Sequence, residues 1–271
     1  RSSCVAVVLM FVMEAAAATL YVAPNGRPEW SGALPEPNAH GTDGPLPSVQ
    51  AARDAIRARR ARNEWKNEAI TVSIRGGVYA LSEPLVFGPE DSGAPNLVIS
   101  YVAHPNEQPV FSGGRRITGF HPAELNGHSV WAVEIPEVKE GKWYFRQLFV
   151  NNERRPQTRL PKEGFYQFAG LPTTRPETPW QEGQDQAAFH PGELRKWQNL
   201  SDVEVVATSL WIESHLPLAD VDENARIARF ARKSVFRLTD THAASNFSRY
   251  YVLNVKEALD TPGQWYLDRP T

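Results

Sequence analysis

Apolar and polar positions follow two different patterns along this chain, and the change falls near Arg115-Arg116-Ile117. Upstream, apolar residues come in short runs: Thr19-Leu20-Tyr21-Val22, Ile70-Thr71-Val72-Ser73-Ile74, Val78-Tyr79, Leu85-Val86-Phe87, Leu97-Val98-Ile99-Ser100-Tyr101 and Val110-Phe111-Ser112. Each run is rich in β-branched or aromatic residues and is closed by Gly, Pro, Asn or Asp, so each reads as a short strand. One segment departs from this. Val49, Ala52 and Ile56, helped by Ala51 and Ala55, form a narrow apolar stripe, while Arg53, Arg57, Arg60 and Glu64 lie off it. That spacing predicts a helix from Val49 to about Arg62, with the Ser48 hydroxyl capping its free amides. A small apolar face suits a lid on a stack of strands. Stacked coils bury their inward residues only against neighbours, so a few coils need both further coils and a cap at the exposed end.

Downstream, the alternation is clearer and more aromatic: Val130-Trp131-Ala132-Val133-Glu134-Ile135, Gln147-Leu148-Phe149-Val150, Val203-Glu204-Val205-Val206-Ala207, Leu210-Trp211-Ile212, Arg226-Ile227-Ala228-Arg229-Phe230 and Val235-Phe236-Arg237-Leu238. A period of two means sheets with one buried and one wet face, as in a sandwich or barrel. Residues 119–262 read as an inserted antiparallel β domain, with a short helical turn around Val255-Lys256-Glu257-Ala258-Leu259. Trp265-Tyr266-Leu267, within 263–271, reads as a strand returning to the first unit, residues 19–118.

These segments carry a resemblance. Tyr21-Val22-Ala23-Pro24-Asn25-Gly26, Trp30-Ser31-Gly32, Thr42-Asp43-Gly44-Pro45, Ala52-Arg53-Asp54-Ala55-Ile56-Arg57, Ile74-Arg75-Gly76-Gly77-Val78-Tyr79 and Pro109-Val110-Phe111-Ser112-Gly113-Gly114 resemble, in that order, the amino-terminal region of secreted bacterial right-handed parallel β-helix proteins. The nearest in pattern are the β-helix glycoside hydrolases of families 141 and 120. Trp143-Tyr144-Phe145-Arg146-Gln147-Leu148-Phe149-Val150-Asn151 and Gly263-Gln264-Trp265-Tyr266-Leu267-Asp268-Arg269 are also similar to segments of that group. Gly26-Arg27-Pro28-Glu29 departs from it, because such proteins often carry an acidic residue sooner. The resemblance implies a mainly β chain: the start of a right-handed parallel β-helix with an N-terminal capping helix, plus an inserted antiparallel sandwich-like or barrel-like domain. It also implies a polysaccharide or oligosaccharide substrate, at fucosyl or xylosyl linkages of plant-type or other complex glycans.

Residues 1–18 have a basic start, an apolar run from Val5 to Met13 and a small-residue tract, Ala15-Ala16-Ala17-Ala18. This is the layout of a secretory leader cleaved near Ala18, and it predicts a secreted or periplasmic protein. The apolar run is shorter than the roughly 20 residues of a membrane span. The single cysteine, Cys4, lies in the leader and before its apolar run, which excludes a mature disulfide and argues against lipid attachment there. Lys and Arg number 29 against 31 Asp and Glu, a net charge of -2, so there is no basic field for nucleic acid or an anionic membrane.

Glycosidic cleavage requires two carboxyl groups about 5 to 9.5 Å apart, and sequence spacing does not select one pair among 31 acids. In β-helix hydrolases those acids project from central coils, so the pair is expected beyond Thr271; no catalytic residue is assigned and the present chain is expected to be inert by itself. Four residues are expected to contact substrate. Trp211, Glu213 and His215 share a face if they form a strand, and an indole beside polar groups holds a sugar ring; Trp211 and His215 are the candidates there, against a core role for the Trp. In Asn246-Phe247-Ser248-Arg249-Tyr250-Tyr251, Asn246 and Tyr250 offer amide and phenol donors, against a purely structural role. Arg154, Arg155 and Arg159 could reach an acidic sugar, although surface ion pairing accounts for them equally. Asp220-Val221-Asp222-Glu223-Asn224 lacks the glycine and distal glutamate of a calcium loop and reads as a polar turn. No HExxH pattern occurs, and neither metal nor cofactor is expected. Two alternatives stay open: a polysaccharide lyase on the same scaffold, and a non-catalytic carbohydrate-binding or cell-surface protein.

Overall fold

A computed structural model describes residues 18–65, 68–94, 98–241 and 246–269. The expected leader lies outside the described residues apart from Ala18, which opens the first strand. The chain is mainly β and divides into two compact units, Arg1–Ile117 and Thr118–Thr271.

In the first unit, β1 (Ala18–Val22), α1 (Val49–Ala61), β2 (Ile70–Ile74), β3 (Gly77–Ala80), β4 (Ile99–Ala103) and β5 (Pro109–Ser112) follow in order. The ladders described in it, β1 with β2, β2 with β4 and β3 with β5, are parallel. β1, β2 and β4 form one ladder, in which Leu20 faces Val72 and Val72 faces Tyr101. β3 and β5 form a second, in which Tyr79 faces Phe111. Parallel registry stacks like on like: the two rings lie 5.2 Å apart and 26° from parallel. Ile70 stands opposite Ile99 and Gly77 opposite Pro109, so these two returns of the chain take about 30 residues, within the range of stacked repeats. The return from β1 to β2, with Ala18 opposite Ile70, is longer because it carries α1. Both ladders are short, with β4 and β5 at their outer edges.

The helix is the element that local rules define best. Ser48 accepts a hydrogen bond from the Ala51 amide at 3.1 Å, and Val49, Ala52 and Ile56 are its buried residues. They pack on Leu20, Val22, Ile70 and Val72 to make the core of this unit. Gly77 adopts φ +134°, and a Cβ there would lie 2.5 Å from the Pro24 ring, so the turn into β3 requires glycine. One expected strand is absent. Leu85-Val86-Phe87 is irregular; Arg53 of α1 holds the Val86 carbonyl, and the Phe87 ring meets Tyr101 edge-on at 5.3 Å. Side-chain contacts thus fix this run where no ladder takes up its backbone.

The second unit begins with two hairpins, β6 (His121–Leu125) with β7 (His128–Ala132), and β8 (Leu148–Val150) with β9 (Glu153–Arg155), separated by the short helix α2 (Pro136–Lys139). Asn151 and Asn152, both at positive φ, make the second turn, as two-residue hairpins prefer. Its main body is a seven-stranded antiparallel sheet made of β10 (Arg159–Leu160), β11 (Tyr166–Gln167), β12 (Gln186–Ala188), β13 (Glu204–Ser209), β14 (Ile212–Asp222), β15 (Ile227–Phe230) and β16 (Arg249–Leu253). The long β14 serves two partners. It pairs with β13 as far as Pro217, then with β15 from Leu218 onward through a register shift before Asp220. Proline has no amide to donate, so the ladder changes partner beside it. Val205, Ala207, Leu216, Leu218, Phe230, Tyr250 and Val252 point to one side and close on Phe168, Phe189 and Leu194 as the core.

Two further segments differ from the strands expected of them. Val235-Phe236-Arg237-Leu238 is a loop, because the amides of Ser234 and Leu238 go to the backbone and side chain of Gln184. Trp265-Tyr266-Leu267 forms one isolated bridge, from Trp265 to Gln157. The Leu267 amide and carbonyl are both taken by the side chain of buried Asn254, each at 2.9 Å. Asn254 thereby substitutes for a neighbouring strand. Beyond it, the Arg269 guanidinium and amide close on Asp202, whose carboxylate is almost fully buried.

Candidate functional site

Period-two alternation separates the sheet's core side from an outward face that gathers polar groups, although its centre is itself covered, with Val206 fully buried and Glu204 nearly so. On β13 this face carries Glu204, Val206 and Thr208; on β14, Glu213, His215 and Pro217; on β16, Arg249, Tyr251 and Leu253. Registry brings them together, since Val206 stands between His215 and Tyr251, and Glu204 stands between Pro217 and Leu253.

Glu204 is the centre of this face. Its carboxylate is 8% exposed and accepts from the Arg146 guanidinium at 2.8 Å, while its other oxygen lies 2.8 Å from His215 Nδ1. A carboxylate only accepts, so the imidazole proton sits on Nδ1 and the ring orientation is fixed. The His215 carbonyl takes two bonds from Arg232, at 2.8 and 3.1 Å. Beside this group, the Tyr251 phenol is pushed up by burial and then by the Glu213 charge, to which it is also hydrogen-bonded. The Arg159 guanidinium lies 4.5 Å from the Tyr251 ring. Arg249 pairs with Asp240 at 2.8 Å, and Asp240 accepts from the Thr208 hydroxyl at 2.6 Å. The arrangement offers an oriented imidazole, a neutral phenol and anchored carboxylates, all suited to hydrogen-bonding a polyhydroxylated ligand.

The expected contact residues separate on this frame. Trp211 is 66% exposed and lies in the two-residue β13–β14 turn, outside the strand that carries Glu213 and His215, so the strand face expected to hold all three carries only the latter two. Its ring meets those of Trp180 and Phe236 at 5.7 and 5.4 Å. His215 is half-buried in the Glu204 group. Tyr250 points the other way: it is fully buried, its ring stacked 4.3 Å from Phe168 and its hydroxyl donating to Glu193 at 2.8 Å. The outward phenol is its neighbour Tyr251. Asn246 is half-buried and uses its backbone carbonyl, which accepts from the Asp240 amide at 2.9 Å. Arg155 pairs with Glu153 and Arg159 donates to the Pro161 and Gly164 carbonyls, so these two cations are engaged locally. Asp222 accepts from the Ala225 amide and closes a turn. Among the described residues, no group of three or more His, Cys, Asp or Glu could hold a metal ion. Sequence reasoning missed Glu204, Tyr251, Arg146 and Trp180. The alternation around Val205 and Val252 marks the first two as outward positions, but no local signal marks Arg146 or Trp180.

No family model matches the chain, and no curated protein matches it. Among solved structures it is similar to one named "Glycoside hydrolase", with a TM-score of 0.65 and 23% sequence identity; the likeness covers 93% of this chain and 41% of that one. At that identity the likeness is one of fold, and the present chain spans well under half the length of that protein.

Proposed function

We propose that this chain is part of an exported glycoside hydrolase built on a right-handed parallel β-helix, as in families 141 and 120. The fold likeness to a glycoside hydrolase over 93% of the chain carries the reading. The two parallel ladders, with Tyr79 stacked on Phe111, support a coiled arrangement whose further turns lie outside this sequence. Residues 119–262 are then an antiparallel insertion between early coils. The two carboxyl groups that cleave the bond, about 5 to 9.5 Å apart, belong to later coils, and the outward sheet face supplies hydrogen bonds to the glycan.

The test uses the full-length protein that contains this chain, on a panel of neutral and uronate polysaccharides. Release of reducing ends without ultraviolet-absorbing product is expected. An unsaturated product identifies a lyase instead. Binding without turnover on every substrate points to a non-catalytic glycan-binding protein.

A further inference from the structure

The β13–β14 turn is two residues long, Leu210-Trp211, between the paired residues Ser209 and Ile212. Leu210 adopts φ +54°, the left-handed region that such turns ordinarily give to Gly, Asn or Asp. A bulky leucine there is strained, and the next residue of the turn is Trp211, 66% exposed. Strain of this kind persists only where the surroundings over-determine it, and it concentrates at ligand-contacting sites.

Trp211 is not alone. Trp180 meets Phe236 at 5.1 Å, and both meet Trp211, so the three rings form one mutually tilted cluster. Its supports are polar and do not depend on covering the rings. The Trp180 carbonyl accepts from the Arg237 amide at 2.9 Å. Ser234 accepts from the Gln184 amide at 2.9 Å and donates to the Phe236 carbonyl at 2.6 Å. Gly183 lies so close to the Ser234 carbonyl that a Cβ would sit 1.7 Å from its oxygen. The loops carrying Trp180 and Phe236 are thus clamped together, and the cluster is preorganised.

We propose that Trp211, Trp180 and Phe236 form a binding platform for neutral pyranose rings of a glycan chain. The choice of a glycan rests on the carbohydrate reading above; the platform itself rests on the second unit alone. The negative faces of aromatic rings meet the C–H face of a pyranose, whose hydroxyls remain at the edge for water. The patch is too small for a stable protein partner. Three aromatic side chains, at about 150–250 Å² each, fall short of the roughly 800 Å² that each side of such an interface buries.

The experiment runs the full-length protein that contains this chain in native gels containing arabinoxylan, xyloglucan or polygalacturonate, with tryptophan emission read in parallel. Wild type is expected to be retarded by a neutral polymer with a change in emission. Trp211→Ala should lose at least about tenfold in affinity and Trp180→Ala should also weaken binding, each melting as wild type does. Trp131→Ala, at an indole 70% exposed on the β6–β7 hairpin, should bind unchanged. Retardation only by polygalacturonate, equal loss in Trp131→Ala and Trp211→Ala, or Trp211→Ala abolishing self-association without affecting glycan retention each overturns the platform. Binding by the full-length protein without cleavage of any polymer defeats the hydrolase reading and leaves the platform standing. Cleavage kept by a Trp211→Ala protein whose glycan binding is also undiminished defeats the platform alone.

Discussion

Replacing Tyr250 tests whether period-two reasoning has assigned the two adjacent phenols to the correct faces of the sheet. Tyr250 is fully buried, its ring stacked on Phe168 at 4.3 Å and 13° and lying 5.5 Å from Tyr166. Its hydroxyl donates to a Glu193 oxygen that also accepts from the His190 amide. Tyr250→Phe keeps the ring and removes one hydrogen bond. Glu193 is only half-buried and keeps its other partner, so the cost is that of one net hydrogen bond, about 1 kcal/mol. For a unit of this size that lowers Tm by about 2–4 °C. Tyr250→Ala removes the ring from a close-packed core and should cost about 3–5 kcal/mol. Urea unfolding followed by tryptophan emission reads both, with the midpoint moving and the slope unchanged for Tyr250→Phe. Retention in glycan gels is read on the same proteins under folding conditions. Burial pushes the Tyr250 phenol well above its ordinary range, so neither result should vary with pH near neutrality. If Tyr250→Phe unfolds as wild type does but loses glycan binding, the hydroxyl reaches ligand and the face assignment is wrong.

Acid should loosen the first unit through two identified carboxylates. Arg57 holds the Asp91 carboxyl down from 3.8 to about 2, and Arg75 holds the Glu107 carboxyl down from 4.5 to about 2. A depressed folded-state pKa contributes stability that is complete above the ordinary value and is lost as pH falls through the depressed one. Tm should therefore decline between about pH 4.5 and 2, and more gently in Asp91→Asn and Glu107→Gln; a parallel decline in those variants contradicts the assignment. In the second unit, Arg269→Ala leaves the buried Asp202 carboxylate without its guanidinium. It should cost about 3 kcal/mol in the same urea assay, and a change under about 0.5 kcal/mol, the ordinary surface effect, contradicts a structural role for the pair.

Local interactions made several elements readable in the chain itself. Val49, Ala52 and Ile56 at helical spacing behind Ser48 define α1, because a cap and a stripe act within a few residues. The short runs around Leu20, Val72 and Tyr101, and the alternation through Val205 and Tyr251, identify strands for the same reason. Which face of an alternating strand is buried is a different matter. A period of two says only that Tyr250 and Tyr251 point opposite ways; the choice came from registry with β13 and from Phe168, which lies some 80 positions away in sequence and packs on Tyr250. Leu85-Val86-Phe87 and Val235-Phe236-Arg237-Leu238 carry strand composition but became loops, because Arg53 and Gln184 took up their backbone groups. The Glu204–His215–Arg146 group and the Trp180–Trp211–Phe236 cluster likewise join residues from separate segments. The sequence by itself determined the mainly β character and the capped helix. Only the tertiary structure decided which polar and aromatic side chains meet, since those meetings depend on pairing between distant strands and on loops clamped by distant partners.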